Sequence, residues 1–170
     1  VIQEQKAFGA CRDVTLEYPV AENEGEEDNT YLSYNMVVGN AADSQMAMAF
    51  EVLDYALLSA PGAPLKQALL DVKAGKDVYG SYDDGILQPY FTVIAKGSNP
   101  DRKEEFVSVI REVLGDIVKN GIDRKAVEAG INYFEFRYRE ADFSSYPKGL
   151  MYSLDILGDL LYEKGNPFAQ

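Results

Sequence analysis

The stretch NAADSQMAMAFEVLDYALLSAPGAPLKQALLDV, residues 40–72, decides how this chain folds. Met46, Phe50, Leu53 and Leu57 recur at three- and four-residue steps, the period of a helix with one buried face. Pro61, Gly62 and Pro64 then interrupt the pattern, because proline has no N–H to donate and glycine favours turns. Leu65, Leu69 and Leu70 resume an apolar face beyond the break. The spacing predicts a helix, a sharp turn and a second, short helix. Asn40 is expected to cap the first helix, with Asp43 reaching back from three residues on. Nothing in the stretch is chemical.

Upstream, Val14, Leu16 and Tyr18 alternate with Thr15 and Glu17, which predicts a short strand closed by Pro19. AENEGEEDN, residues 21–29, reads as a solvent-facing loop whose acids lack the spacing of a calcium loop. YLSYNMVV, residues 31–38, is a strong strand with Leu32, Tyr34, Met36 and Val38 as its apolar row. Downstream, residues 77–82 and 89–96 predict two antiparallel neighbours joined by DDGILQ. Asn99 and Pro100 open a helix whose face carries Phe106, Val109, Ile110, Val113, Leu114 and Ile117, and Lys119, Asn120 and Gly121 close it. Asp123 caps the next, with Val127, Ile131, Phe134 and Tyr138 as its apolar positions. Ser144, Ser145 and Pro147 break that helix. Leu150, Leu154, Leu157 and Leu161 mark a last one, ending near Gly165, Asn166 and Pro167. The order β-β-α-α-β-β-α-α-α gives an α+β fold, an antiparallel or mixed sheet with helices packed on one face.

At 170 residues, 46% of them apolar, the chain can bury one good core. Residues 1–12 read as a lead-in or linker and residues 13–168 as a single domain. Sixteen basic against 28 acidic residues leave a net charge of -12, which argues against nucleic acid as a partner. A cationic ligand would suit that charge, and a solvated acidic surface is the simpler reading. Cys11 is the one cysteine, so no intrachain disulfide forms. No apolar run approaches the ~20 residues that span a bilayer. The start VIQEQKAFGA has neither a signal peptide's basic flank nor its apolar core, and both ends look cut from something longer.

The chain has no histidine, which removes the usual serine and cysteine triads, HExxH and its inverse, and histidine-based zinc sites. Carboxylate, lysine and Ser-Lys mechanisms stay open. Gly75, Gly80, Gly85 and Gly97 are scattered around strands as turn and bulge residues, in no phosphate-cradling pattern. FEFRYREADFSSYPKG, residues 134–149, concentrates basic and phenolic groups in an otherwise acidic chain. Arg137, Arg139, Tyr146 and Lys148 are its candidate polar, substrate-facing patch. The alternative packs Tyr138 on the helix face and turns both arginines to Glu135, Glu140 and Asp142. The 12 tyrosines also fit an interface stripped of its partner.

LSYNMVVG, a helix, LLSAPGAPLKQALLD, the pair YGSYDDGILQPYFTVIAKG, and EEFVSVIREVLGDIVKNGIDRKAVEAGINYFEFRYRE stand in an order that resembles the insulinase or pitrilysin (M16) superfamily of zinc peptidases. The resemblance is to its presequence-protease-like branch and covers roughly residues 13–168. It implies a parent of two halves, each with two homologous α+β domains. In that family the first domain carries HxxEH and a distant glutamate, and the motif glutamate activates zinc-bound water. No zinc ligand can be carried over to a chain without histidine. The family's substrate-binding arginine and tyrosine belong to its C-terminal half, and Arg137 and Tyr138, adjacent on a helix, match no such motif. The chain resembles the second domain of the N-terminal half, a chamber wall beside the catalytic domain. The resemblance therefore implies no catalytic, cofactor-binding or metal-binding residue here, with zinc held in the parent's catalytic domain. Implied partners are that domain, the parent's C-terminal half and peptide substrates, with no nucleic acid and no membrane span. A cytoplasmic place is favoured for a bacterial parent. The competing readings are a standalone non-catalytic subunit or interaction module, and a small carboxylate enzyme. The last would need a concave pocket holding two close acids with raised pKa values.

Overall fold

A computed structural model of the chain describes residues 3–21, 25–41, 43–140 and 145–162. The predicted stop at Gly165, Asn166 and Pro167, the break at Ser144 and any contact of Asp142 lie outside them. Three strands, β1 (Thr30–Val37), β2 (Asp77–Asp83) and β3 (Tyr90–Ser98), form an antiparallel sheet in the order β1-β3-β2. Five helices accompany them among the described residues: α1 (Ser44–Asp54), α2 (Pro64–Asp71), α3 (Lys103–Asn120), α4 (Arg124–Glu140) and α5 (Lys148–Leu161). The fold is α+β, as the element order predicts.

The predicted apolar row of β1 faces the helices. Leu32 is buried, and Tyr34, Met36 and Val38 pack against a core that includes Val78, Phe91, Val93 and Ala95 of the sheet. Leu65 and Leu69 of α2 and Phe106 and Ile110 of α3 complete it, each with at most 1% of its surface exposed. On the opposite face of the sheet Tyr31, Val37 and Tyr79 stand exposed. Gly97, at φ +69°, marks the bulge where the β1–β3 register shifts.

Residues 40–72 hold one surprise. α1 runs into a π-helical turn, Tyr55–Ser59, before the Pro61–Gly62 break. The wider turn puts Ala56, Leu57 and Leu58 in succession into the interior, which a regular 3.6-residue period cannot do. Leu58 seats directly on Gly80 of β2, where an added Cβ would lie 2.2 Å from its Cδ1. Met46 departs from the expected buried face and is 41% exposed, because the first turn of α1 overhangs the sheet end.

Three other expectations need correction. Residues 14–18 form no strand; the segment 3–21 is irregular, and Val14 and Leu16 are 71% and 84% exposed. No backbone hydrogen bond joins that segment to β1 among the described residues, so the alternating pattern lacks a partner ladder. The cap of α1 is Asp43, whose carboxylate accepts from the Met46 N–H at 2.9 Å. Asn40 instead bonds Glu4 at 2.6 Å. On α4, which packs on α1 and the π-turn, Phe134 is buried, but Ile131 and Tyr138 are about half exposed. The start of α3 follows the prediction with a short 3₁₀ entry, Pro100–Arg102, and Gly121 ends the helix at φ +85°.

Candidate functional site

The predicted polar patch spans the end of α4 and the start of α5. Arg139 pairs with Glu135 one turn back at 2.5 Å, an exposed pair of the kind that contributes little. Lys148 donates to the Glu140 carbonyl at 3.1 Å, covering a free acceptor at the C-terminus of α4. Tyr146 is 62% exposed in front of α5. Arg137 is exposed, and its charge reaches Glu51 and Tyr138. The structure therefore ties Arg139 and Lys148 to α4 itself and brings no four-residue cradle together.

The polar contact that does cross elements is one the composition could not show. Tyr138 Oη donates to Glu51 Oε2 of α1 at 2.9 Å. Burial raises the Glu51 carboxyl above its ordinary value, the tyrosine's hydrogen bond opposes that, and the nearby Asp84 charge adds to it. Burial and the Glu51 charge push the Tyr138 hydroxyl well up, so it stays a donor. Around this bond Tyr55 stacks on Tyr133 at 5.0 Å, and Gly130 lets α4 approach Val52 and Tyr55. Tyr138→Phe is expected to lower stability by about 1 kcal/mol at neutral pH, the low end because the pair is partly exposed. Glu51 would lose its donor and rise further, so the deficit is present above its folded pKa. It fades as pH falls through that value, because a protonated Glu51 no longer draws on the tyrosine's donor. Urea unfolding of both chains at neutral and acid pH checks this.

Asp54, the last residue of α1, is raised by burial, and its Oδ1 is buried with no partner among the described residues. Its Oδ2 accepts weakly from Ser59 at 3.5 Å. A cleft of about 510 Å³ lies elsewhere, between residues 18–21 and the Lys76, Asp77, Lys96 and Gly97 end of the sheet. Of its charges, Lys76 pairs with Asp28 at 3.3 Å and Asp77 with Lys66 at 3.2 Å, while Lys96 lies 5.9 Å from the centre of the Tyr31 ring. Hydrogen bonds from Asn99 and Lys76 hold the Asp28 carboxyl below its ordinary value. The raised carboxyls of Glu51 and Asp54 do not line that cleft.

Zinc does not fit this chain's donors. It has no histidine, Cys11 is exposed, and no three Cys, Asp or Glu side chains converge among the described residues. No helix of the described residues is long and apolar enough to cross a membrane.

What the molecule presents instead is apolar surface. Leu150, Leu154, Leu157, Leu160 and Leu161 of α5 are each 48–60% exposed, and Phe136 of α4 is 66% exposed. α5 and its C-cap reach the rest through Lys148 on the Glu140 carbonyl and through the Tyr162 hydroxyl on the Gly85 carbonyl at 3.2 Å, among other contacts. A signal for this was in the sequence. The helix KGLMYSLDILGDLL is apolar on nearly every side, which no single buried stripe explains.

Fold and surface together define an α+β domain with exposed apolar faces. The chain belongs to the family described as the Peptidase M16 inactive domain, whose model matches residues 4–134. It is 42% identical over 168 residues to Protein HypA of Clostridium perfringens, covering 99% of this chain and 17% of that protein. It is 29% identical over 169 residues to Presequence protease 1, chloroplastic/mitochondrial, of Arabidopsis thaliana, covering 98% of this chain and 16% of that one. The chain thus spans about a sixth of the length of these curated relatives. Its fold is similar to the inactive peptidase domain of a protein described as a zinc protease from Bordetella parapertussis. There the TM-score is 0.63 at 13% identity, over 79% of this chain and 76% of that one.

Proposed function

We propose that residues 13–168 are one non-catalytic domain of a larger zinc peptidase, with residues 1–12 as the linker that leads into it. The domain walls a chamber in which unstructured peptides are cleaved, and it packs on the catalytic domain and on the parent's C-terminal half. The observation that carries this reading is the exposed leucine surface of α5, in a chain about a sixth as long as its relatives. A surface of that kind marks an interface. Zinc chemistry belongs to the parent's histidine-bearing domain, and this chain's residues take no step in it. For the patch, the exposed Arg137 and Tyr146 are the members left to meet a peptide's carboxylate or backbone.

The test compares the parent polypeptide with this chain alone. The parent is expected to carry HxxEH upstream and to cleave an unstructured peptide in a chelator-sensitive way. This chain alone should be inactive with or without added zinc. Cleavage by the isolated chain, or a native parent with no upstream catalytic domain, would sink the proposal. The second outcome would favour the standalone subunit.

A further inference from the structure

Phe91, Val93 and Ala95 of β3 belong to the core, so Thr92, Ile94 and Lys96 point to the other face of the sheet. In register, Lys96 stands between Tyr31 of β1 and Asp77 of β2. Ile94 stands between Ser33 and Tyr79, and Thr92 between Asn35 and Ser81. Lys96 also lines the cleft of about 510 Å³, where Tyr18, Val20 and Tyr31 supply apolar wall.

Two groups on this face keep an unused binding capacity. Of the charged residues lining the cleft, Asp28 is taken by Lys76 and Asp77 by Lys66, so the charge of Lys96 remains over. Its ammonium lies 5.9 Å from the centre of the Tyr31 ring and has no carboxylate partner among the described residues. In a chain of net charge -12 an unpaired cation in a cleft is a local exception. The second group is the exposed Asn35, whose Oδ1 accepts from the Thr92 hydroxyl at 2.8 Å and from Ser33 at 3.1 Å. Those bonds occupy its acceptor and fix the amide plane, leaving the N–H₂ to donate away from the sheet.

We propose that the cleft and the sheet face beside it bind the C-terminus of an extended peptide. Lys96 holds the terminal carboxylate, and Tyr18, Val20 and Tyr31 take the last side chain. Upstream the peptide passes over Ile94, between Ser33 and Tyr79, and Asn35 donates to one of its backbone carbonyls. Thr92, beside Asn35, stands about 13 Å from Lys96 along β3, a span that an extended peptide covers in about four residues. The acids that line the cleft disfavour a multiply charged anion such as phosphate, whereas a single carboxylate needs only one cation. That the occupant is a peptide rests on the reading of the domain as a chamber wall.

NMR titration of the 170-residue chain with an acetylated alanine peptide ending in leucine, as free acid and as C-terminal amide, tests this. The free acid is expected to shift the amides of Lys96 and Gly97 saturably and to bind at least about fivefold more tightly than the amide. Lys96→Met abolishes that preference and Lys96→Arg keeps it. Lys96 is exposed, so neither substitution disturbs the core. Asn35→Asp keeps the acceptor for Thr92 and Ser33 but removes the donor, so it weakens acid and amide alike by about threefold. Equal affinity for acid and amide, a preference that survives Lys96→Met, unchanged binding in Asn35→Asp, or no saturable shift overturns the proposal. So does inorganic phosphate competing at the peptide's own concentration, which would make the cleft a general anion site. Chelator-sensitive cleavage by the parent is measured separately, so the chamber-wall reading can stand while this site fails, and the reverse.

Discussion

Phe106→Ala lowers unfolding stability by about 3–5 kcal/mol, the largest effect expected of any single truncation in this domain. Phe106 is 1% exposed on α3, in the cluster with Ile110, Leu65 and Leu69 where helices meet the sheet. Truncation removes the transfer energy of a whole ring and leaves a hole that rigid sheet neighbours cannot collapse into. Domains of this size are stable by roughly 5–15 kcal/mol, so the loss is about a fifth of the total or more. Val118, 86% exposed on the same helix, provides the contrast, since Val118→Ala should change stability by under about 0.5 kcal/mol. Urea denaturation followed by circular dichroism measures both. Equal effects at the two positions would mean that α3 is rotated from the orientation described.

Gly80→Ala is the second large effect and runs opposite to the intuition that alanine suits a strand better than glycine. A Cβ at this position would lie 2.2 Å from Leu58 Cδ1, 2.7 Å from Asp54 Oδ1 and 2.8 Å from the Thr92 carbonyl oxygen. The leucine can shift, but the carbonyl belongs to the neighbouring strand and cannot. A loss of about 2–3 kcal/mol follows from overpacking. Adding Leu58→Ala should recover part of it, so the pair is non-additive in a double-mutant cycle. Strict additivity would show that Leu58 does not seat on Gly80.

Most of the fold was legible because its core elements follow one periodicity each. β1, the β2–β3 hairpin, α2 and α3 carry clean alternation or a clean helical stripe, and Gly121 and Asp123 punctuate the helices where expected. The pattern at residues 14–18 read as a strand because alternation reports a strand's preference, while the ladder partner that realises it is a tertiary matter. Burial on α4 was over-read for a related reason, since Ile131 and Tyr138 share the stripe of the buried Phe134 yet stay about half exposed. The site was less legible. Arg137, Arg139, Tyr146 and Lys148 are neighbours in sequence, but nothing in their spacing announced that Arg139 and Lys148 would turn back onto α4. The Tyr138–Glu51 bond joins residues 87 apart, beyond any local motif.

The π-turn at Tyr55–Ser59 also resets the helix's angular phase. One extra residue in a turn advances everything after it by about 100° around the axis. The face that carries Phe50 onto Tyr82 and Phe91 is thus not the face that carries Leu58 onto Gly80. A single rod serves two azimuths, holding α4 on one side through Val52 and Tyr55 while still reaching the sheet on the other.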